Sequence, residues 1–391
     1  MKDAGRLGEV ATLFLRLGFT AFGGPAAHIA MMRREVVERR GWLTDRRFAD
    51  LLGVINLIPG PNSTELAIYL GYLRAGWLGL LLSGVCFIGP AMLLVLALAA
   101  LYVRFGALPQ VGWALYGIQP VVVAIIAQAL YGLGKTLLRG VLPVVCAVGV
   151  AVLFLLGVNP LPLLVGGGIA FALARLVLKR PFAKERGGRA LFPVLIFGGR
   201  GAGAAALTGA AASVPFSQAT LFLTFLKIGA VLYGSGYVLL AFLRADFVQH
   251  LGWLSDRQLL DAVSIGQFTP GPVFTTATFV GYLVGGWQGA LLATLAIFLP
   301  SFVFIALIRG LAERLRRAPL TGALLDGVSL AALALMAGVL VQLGATALRD
   351  PLTWVLALAT LAMLLRFKLN SAWLILAGGL IGLLAKSVLH P

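Results

Sequence analysis

Two cations lie inside apolar runs at matching places. Arg16 sits in Leu13-Phe14-Leu15-Arg16-Leu17-Gly18-Phe19, and Lys227 sits 211 positions later in Phe225-Leu226-Lys227-Ile228-Gly229-Ala230. A cation in hydrocarbon costs about 3 kcal/mol or more, so such a residue faces a partner or a wet cavity. Each precedes a glycine-rich break by about two turns: Phe22-Gly23-Gly24-Pro25 in one case, Tyr233-Gly234-Ser235-Gly236 in the other. A second pair of breaks, Pro59-Gly60-Pro61 and Pro270-Gly271-Pro272, leads into Asn62-Ser63-Thr64-Glu65 and Val273-Phe274-Thr275-Thr276. Proline lacks an N–H and clashes with the preceding turn, so a helix stops there; it suits the first turn of a new one. A helix that starts at membrane depth offers free N–H groups with partial positive charge, which favour an anion. Irregular backbone is tolerated at that depth only where protein covers it or a wet cavity lies beside it.

The chemistry expected is therefore recognition of an anion. Arg16 and Lys227 supply formal charge, and the four breaks supply backbone. Asn62, Ser63, Thr64, Thr275 and Thr276 supply hydrogen bonds. Asn56 and Gln267, equivalent residues just before the Pro-Gly-Pro breaks, are polar support. Glu65, whose counterpart is Thr276, is the buried acid that either pairs with Arg16 or carries a proton. His28, opposite Leu239, reads as an interface histidine, and Asp326 has no assigned role. His28, His250 and His390 lie far apart in sequence, and Cys86 and Cys146 sit alone in apolar runs. Neither a metal site nor a cofactor is expected.

These residues are positioned by a chain that says nearly the same thing twice. Gly41-Trp42-Leu43-Thr44-Asp45-Arg46 returns as Gly252-Trp253-Leu254-Ser255-Asp256-Arg257, and the same offset pairs Gly18 with Gly229, Arg33 with Arg244 and Glu35 with Asp246. After one deleted residue the register continues, pairing Gly71-Tyr72-Leu73 with Gly281-Tyr282-Leu283, Trp77 with Trp287 and Pro90 with Pro300. The 391 residues are 60% hydrophobic and only 12% charged, which excludes an ordinary soluble domain. The apolar runs are continuous and long enough to cross a bilayer as helices, unlike the short alternating segments of a β-barrel. They cover roughly 7–31, 48–73, 76–104, 108–133, 140–158 and 160–178, then 190–212 (weak, with Arg200 inside), 216–243, 259–283, 286–309, 320–345, 352–366 and 371–388. The domain reading is a first repeat over 1–178, a basic cytoplasmic linker over 179–189 and a second repeat over 190–391. The N-terminus carries no cleavable signal pattern.

Net charge is +17, but the basic residues cluster in short loops, where they set orientation rather than bind nucleic acid. The loop 33–47 holds Arg33, Arg34, Arg39, Arg40, Arg46 and Arg47, whereas its counterpart 244–258 holds only Arg244 and Arg257, with His250. The first loop, the linker and the stretch 309–317 are placed in the cytoplasm and the second loop outside, so the repeats are expected to be inverted. The crossing count is consistent when 48–73 and 259–283 enter and return, and when 190–212 does not span.

The set Phe-Gly-Gly-Pro, Gly-Trp-Leu-Thr-Asp and Pro-Gly-Pro-Asn-Ser-Thr-Glu, repeated as Gly-Ser-Gly-Tyr-Val-Leu-Leu, Gly-Trp-Leu-Ser-Asp and Thr-Pro-Gly-Pro-Val-Phe, resembles the chromate ion transporter family, in its long two-domain form. The resemblance covers almost the whole chain. It implies a multi-pass protein of the cell inner membrane that exports chromate. The second half departs from the pattern, with Gly-Ser-Gly where the first has Gly-Gly-Pro.

The expected fold is an all-α integral membrane protein of two inverted repeats, with broken or re-entrant helices followed by spanning ones. The expected function is secondary transport of chromate by alternating access at a midplane anion site. The expected partners are chromate, the lipid bilayer and a second copy in a homodimer. Sulfate is a similar tetrahedral dianion, so a sulfate or other oxyanion transporter is the first rival. A membrane enzyme or lipid-handling protein acting on a phosphorylated substrate is the rival of another class, opposed by the scattered histidines. A passive channel is a third.

Overall fold

A computed structural model describes residues 2–177, 214–233, 236–308, 319–367 and 369–389. The linker 179–189, the whole of 190–212, the stretch 309–317 and the break residues Gly234 and Ser235 lie outside the described residues. Every regular element among those described is helical. In the first repeat these are α1 (Lys2–Thr20), α2 (Gly24–Arg33), α3 (Asp45–Ile55), α4 (Asn62–Phe105), α5 (Pro109–Leu137), α6 (Val141–Leu155) and α7 (Pro160–Val177). In the second they are α8 (Gln218–Val231), α9 (Leu239–Leu243), α10 (Asp256–Phe268), α11 (Thr276–Ile308), α12 (Pro319–Ala347), α13 (Pro351–Phe367) and α14 (Ser371–Leu389).

The repeat visible in the sequence governs local structure closely. Gly23 and Gly24 adopt φ of 102° and 76° and separate α1 from α2. The runs 7–31 and 216–243 are each therefore two helices rather than one span. Both α2 and α9 widen into π-helical turns, at Arg34–Arg39 and Arg244–His250. Thr44 and Ser255 then cap the next helix in equivalent fashion, each hydroxyl accepting from an N–H three residues on. Arg33 pairs with Asp45 at 2.6 Å and Arg244 with Asp256 at 2.7 Å, fastening each π turn to the start of the helix that follows.

The long helices α4 and α11 each reverse direction. The backbone leaves helical geometry at Ala75 and Gly76, and again at Gly285 and Gly286, with nearly identical angles. A Cβ on Gly71 would lie 2.3 Å from the Gly79 carbonyl, although eight residues of straight helix span about 12 Å. Thr278 and Thr294 Oγ1 meet at 2.7 Å across the second reversal. The runs 48–73 and 76–104 are therefore separated by a fold-back, as are 259–283 and 286–309. Gly76 and Gly286 carry φ of 65° and 61°, with nothing within 4 Å of a would-be Cβ. Alanine at either position is expected to cost about 1–2 kcal/mol through backbone strain alone, read as a drop in thermal unfolding temperature in detergent.

Five described helical stretches are long and apolar enough to cross a membrane: Asn62–Phe105, Pro109–Leu137, Pro160–Val177, Val273–Ile308 and Gly322–Ala347. Shorter apolar helices accompany them. The three-helix sets that end each repeat interleave, α5 packing on α14 and α13, and α7 on α12. One hydrophobic core gathers α1, α3 and the first arm of α4 around Phe14 and Ile55, with Ile305 and Ile308 from α11. The larger core joins α5–α7 to the second repeat through Phe225, Phe279 and Leu335.

Candidate functional site

The two Pro-Gly-Pro breaks are held by an exchange between repeats. Gly60 N–H donates to the Leu232 carbonyl at 2.7 Å, and Gly271 N–H donates to the Ala21 carbonyl at 2.8 Å. Each break thus closes on the end of the other repeat's first helix. Gly60 has φ of 136° and Gly271 has φ of 90°, conformations that favour glycine. A Cβ on Gly60 would strike Glu65 and approach Ser301, whereas one on Gly271 would meet Ala91, the repeat equivalent of Ser301. Polarity is therefore concentrated at the first break.

There α4 starts at Asn62, after Pro61 as its N-cap. Thr64 and Glu65 N–H groups return to the Pro61 carbonyl; those of Asn62 and Ser63 have no carbonyl one turn back within the helix. Ser63 Oγ contacts His28 Nδ1 at 3.3 Å, and His28 Nε2 contacts the Ala21 carbonyl at 3.0 Å. His28 is 1% exposed, so it is an internal residue of the break and not an interface histidine. Thr64 Oγ1 and both Glu65 carboxyl oxygens are buried with no hydrogen-bond partner; Ser301 Oγ stands near the carboxyl but outside hydrogen-bond geometry. Asn62 Nδ2 donates to Asn56 Oδ1 at 2.7 Å, and the Tyr233 hydroxyl donates to the Asn56 carbonyl. Asn56, Asn62 and Tyr233 line a cleft of about 320 Å³ whose far wall is α12, with Asp326 and Ser329. Asp326 is paired with Arg175 at 2.8 Å.

The second break is built of the same parts with its hydroxyls engaged. Thr275 donates to the Pro272 carbonyl and Thr276 to the Val273 carbonyl, each at 2.8 Å. A hydroxyl that donates to its own turn has no proton left for an anion. Gly236 opens a short 3-10 turn, and Gln267 lies half-buried in the last turn of α10.

The two cations of the apolar runs, Arg16 and Lys227, have acid partners that the residue-by-residue reading did not assign. Arg16 meets Glu35 at 2.6 Å, and Lys227 meets Asp246 at 2.6 Å. The repeat alignment already paired Glu35 with Asp246, which was the available signal. Glu65 is bonded to neither cation. Burial pushes the Glu35 carboxyl up, but hydrogen bonds and charge from Arg16 and Arg39 outweigh it and hold the group below its ordinary 4.5. A depressed acid stabilises the fold above its unfolded pKa, and that contribution disappears as pH falls through the folded value. Thermal stability should therefore fall below about pH 4.5, and Glu35→Gln should flatten that acid limb in a comparison of melts from about pH 6 to pH 3.5. Another buried acid, Asp261, accepts from Tyr102 Oη and Gln119 Nε2, both at 2.8 Å, joining α10 to α4 and α5. Among the described residues no cluster of histidine, cysteine and acid could hold a metal ion.

Comparison with known proteins agrees with this internal symmetry. The family model described as "Chromate transporter" matches twice, over residues 8–172 and 219–383, the two matches shifted by the offset of the repeat. A chromate transport protein of Cupriavidus metallidurans is 36% identical over 390 residues, covering 98% of this chain and 94% of that one. One from Pseudomonas aeruginosa is 34% identical over 384 residues, covering 94% and 90%. No solved structure matches the chain. With both matches falling on the two halves that carry the paired breaks, the chain belongs to the chromate transporter family.

Proposed function

We propose that the protein is a secondary transporter that exports chromate across the inner membrane by alternating access. The two repeats are inverted, and the anion binds near the midplane where the breaks Pro59–Thr64 and Pro270–Thr276 approach each other. The observation that carries this reading is the reciprocal closure of Gly60 on Leu232 and Gly271 on Ala21. An ion held at these breaks touches both repeats, so rocking one against the other transfers it between faces. The name shared by the relatives supplies the substrate. The N–H groups of Asn62 and Ser63, which no carbonyl within the helix takes up, and the Thr64 hydroxyl supply donors. Arg16 and Lys227 stand about a turn and a half before the closing carbonyls, raising the local potential while Glu35 and Asp246 hold them in place. Gly23, Gly24 and Gly236 let the backbone approach the ion. With a negative interior, export of a dianion gains about 4–5 kcal/mol per 100 mV, so the potential alone can drive it.

Chromate uptake into inverted membrane vesicles tests this. Arg16→Gln is expected to lower uptake at least about tenfold, the consequence of losing one near charge worth upwards of 1.4 kcal/mol. Unchanged uptake at normal expression would remove Arg16 from the site. Sulfate added to the same assay decides selectivity, because backbone donors and hydroxyls recognise either tetrahedral dianion.

A further inference from the structure

The corner where α1 meets the first π turn holds more positive charge than its fold requires. Arg16, Arg34 and Arg39 line a cleft of about 260 Å³ together with Glu35, Leu17 and Met31. Arg39 reaches the same Glu35 oxygen as Arg16 at 2.6 Å, and Arg40 stands 3.6 Å from the other. Three guanidiniums surround one carboxylate, and a fourth, that of Arg34, lines the same cleft. The second repeat provides an internal control. At the equivalent positions it has Lys227, Ala245, His250 and Leu251 around Asp246, and the Lys227–Asp246 pair serves there. One cation per acid is what this corner needs to fold, so the additional arginines are surplus to its structure.

The setting of the cleft says what would neutralise them. Arg16 lies on an exposed strip of α1 between Leu15 and Phe19, which are 46% and 51% exposed. In a membrane-embedded helix that strip faces acyl chains. The arginine cleft therefore opens beside an apolar surface, with the basic loop 33–47 at its rim. Guanidinium forks bind phosphate oxygens through paired hydrogen bonds, and basic pockets between membrane helices favour anionic headgroups.

We propose that this cleft is a binding site for the headgroup phosphate of an anionic membrane phospholipid, whose acyl chains lie along Leu15 and Phe19. The chromate reading also uses Arg16, so the two are told apart at Arg34 and Arg39, which take no part in it. The bound lipid would tie α1 to the π turn and to the inner leaflet.

The experiment uses the full-length protein in non-ionic detergent, titrated with phosphatidylglycerol, phosphatidylcholine or inorganic phosphate, with binding read by native mass spectrometry and by thermal shift. Phosphatidylglycerol is expected to bind and stabilise the protein while phosphatidylcholine does not. Arg34→Gln/Arg39→Gln is expected to weaken phosphatidylglycerol binding about 10- to 30-fold, following the usual effect of two basic residues near anionic lipid. Arg46→Gln/Arg47→Gln, which removes equal charge from the first turn of α3, is expected to leave it within about twofold. Lipid-free melting temperatures near the parent's show that the variants fold. Equal weakening by both double variants would reduce the effect to general basic charge and overturn the proposal. So would full binding in Arg34→Gln/Arg39→Gln, or displacement of the lipid by millimolar inorganic phosphate, which would make it a free-anion site.

Discussion

Glu65→Gln is expected to leave the protein folded while removing any response of chromate transport to an imposed pH gradient. Glu65 is fully buried, and neither carboxyl oxygen has a hydrogen-bond partner. An ionised carboxylate in that position would cost many kcal/mol, so the neutral acid is the form that fits. Glutamine reproduces its shape and neutrality, so stability should change by less than about 1 kcal/mol. Lysine in its place would bury an unpaired charge and cost about 3–5 kcal/mol, read as lost expression or early aggregation. Under the proposed alternating access, Glu65 would take up a proton when the break opens toward one face and release it toward the other. Proteoliposomes with chromate inside and a pH step outside separate the outcomes. A Glu65→Gln protein that still follows the pH step would make Glu65 a packing residue. A strongly destabilised one would make it an ionised structural partner.

The second large effect is mechanical. Alpha-carbon contact between α5 and α14 runs through Gly117, Gly378 and Gly382. A Cβ on Gly117 would lie 2.0 Å from the Gly378 carbonyl and 2.8 Å from Gly382 N, both backbone atoms that cannot step aside. Small residues at such crossings let helices approach closely where lipid gives no hydrophobic drive to pack. Gly117→Ala is expected to force the helices apart and cost about 3 kcal/mol, seen as a lower melting temperature and a broadened gel-filtration peak. Gly379→Ala is the control. Its Cβ would meet Ile118 at 3.4 Å, an ordinary contact, and should cost less than about 0.5 kcal/mol. Because α5 belongs to the first repeat and α14 to the second, this one methyl group would weaken the seam between them.

Much of this architecture was legible in the residues. The spans 108–133, 140–158, 160–178, 320–345, 352–366 and 371–388 fall on α5, α6, α7, α12, α13 and α14, because uninterrupted apolar runs have one stable form in hydrocarbon. The breaks at Gly23-Gly24 and Pro-Gly-Pro were readable because glycine and proline act on the backbone locally. What was not readable depended on distance in three dimensions. The pairing of Arg16 with Glu35 joins α1 to a π turn, and a π turn has no composition signal of its own. The burial of His28 follows from contacts with Ser63 and Ala21 that only packing creates. Both breaks lead into hydroxyl-bearing turns, yet Thr275 and Thr276 spend their protons on their own turns while Thr64 does not.

The exchanged bonds at Gly60 and Gly271 have an implication for how such a chain arises. One copy by itself holds the N–H of a break and the carbonyl at the end of its first helix, and in this arrangement those two groups are bonded across copies. Two identical copies side by side would satisfy both bonds at once, so closure of the site asks only for a pair. What fusion into one chain adds is freedom for the copies to differ. One copy has kept Glu65, Ser63 bonded to His28 and the surplus arginines, while the other has Thr276, Phe274 and a corner with the single Lys227–Asp246 pair. The duplicated chain thus has the form of a dimer whose subunits were allowed to specialise, the first carrying the polar groups and the second the frame on which they close.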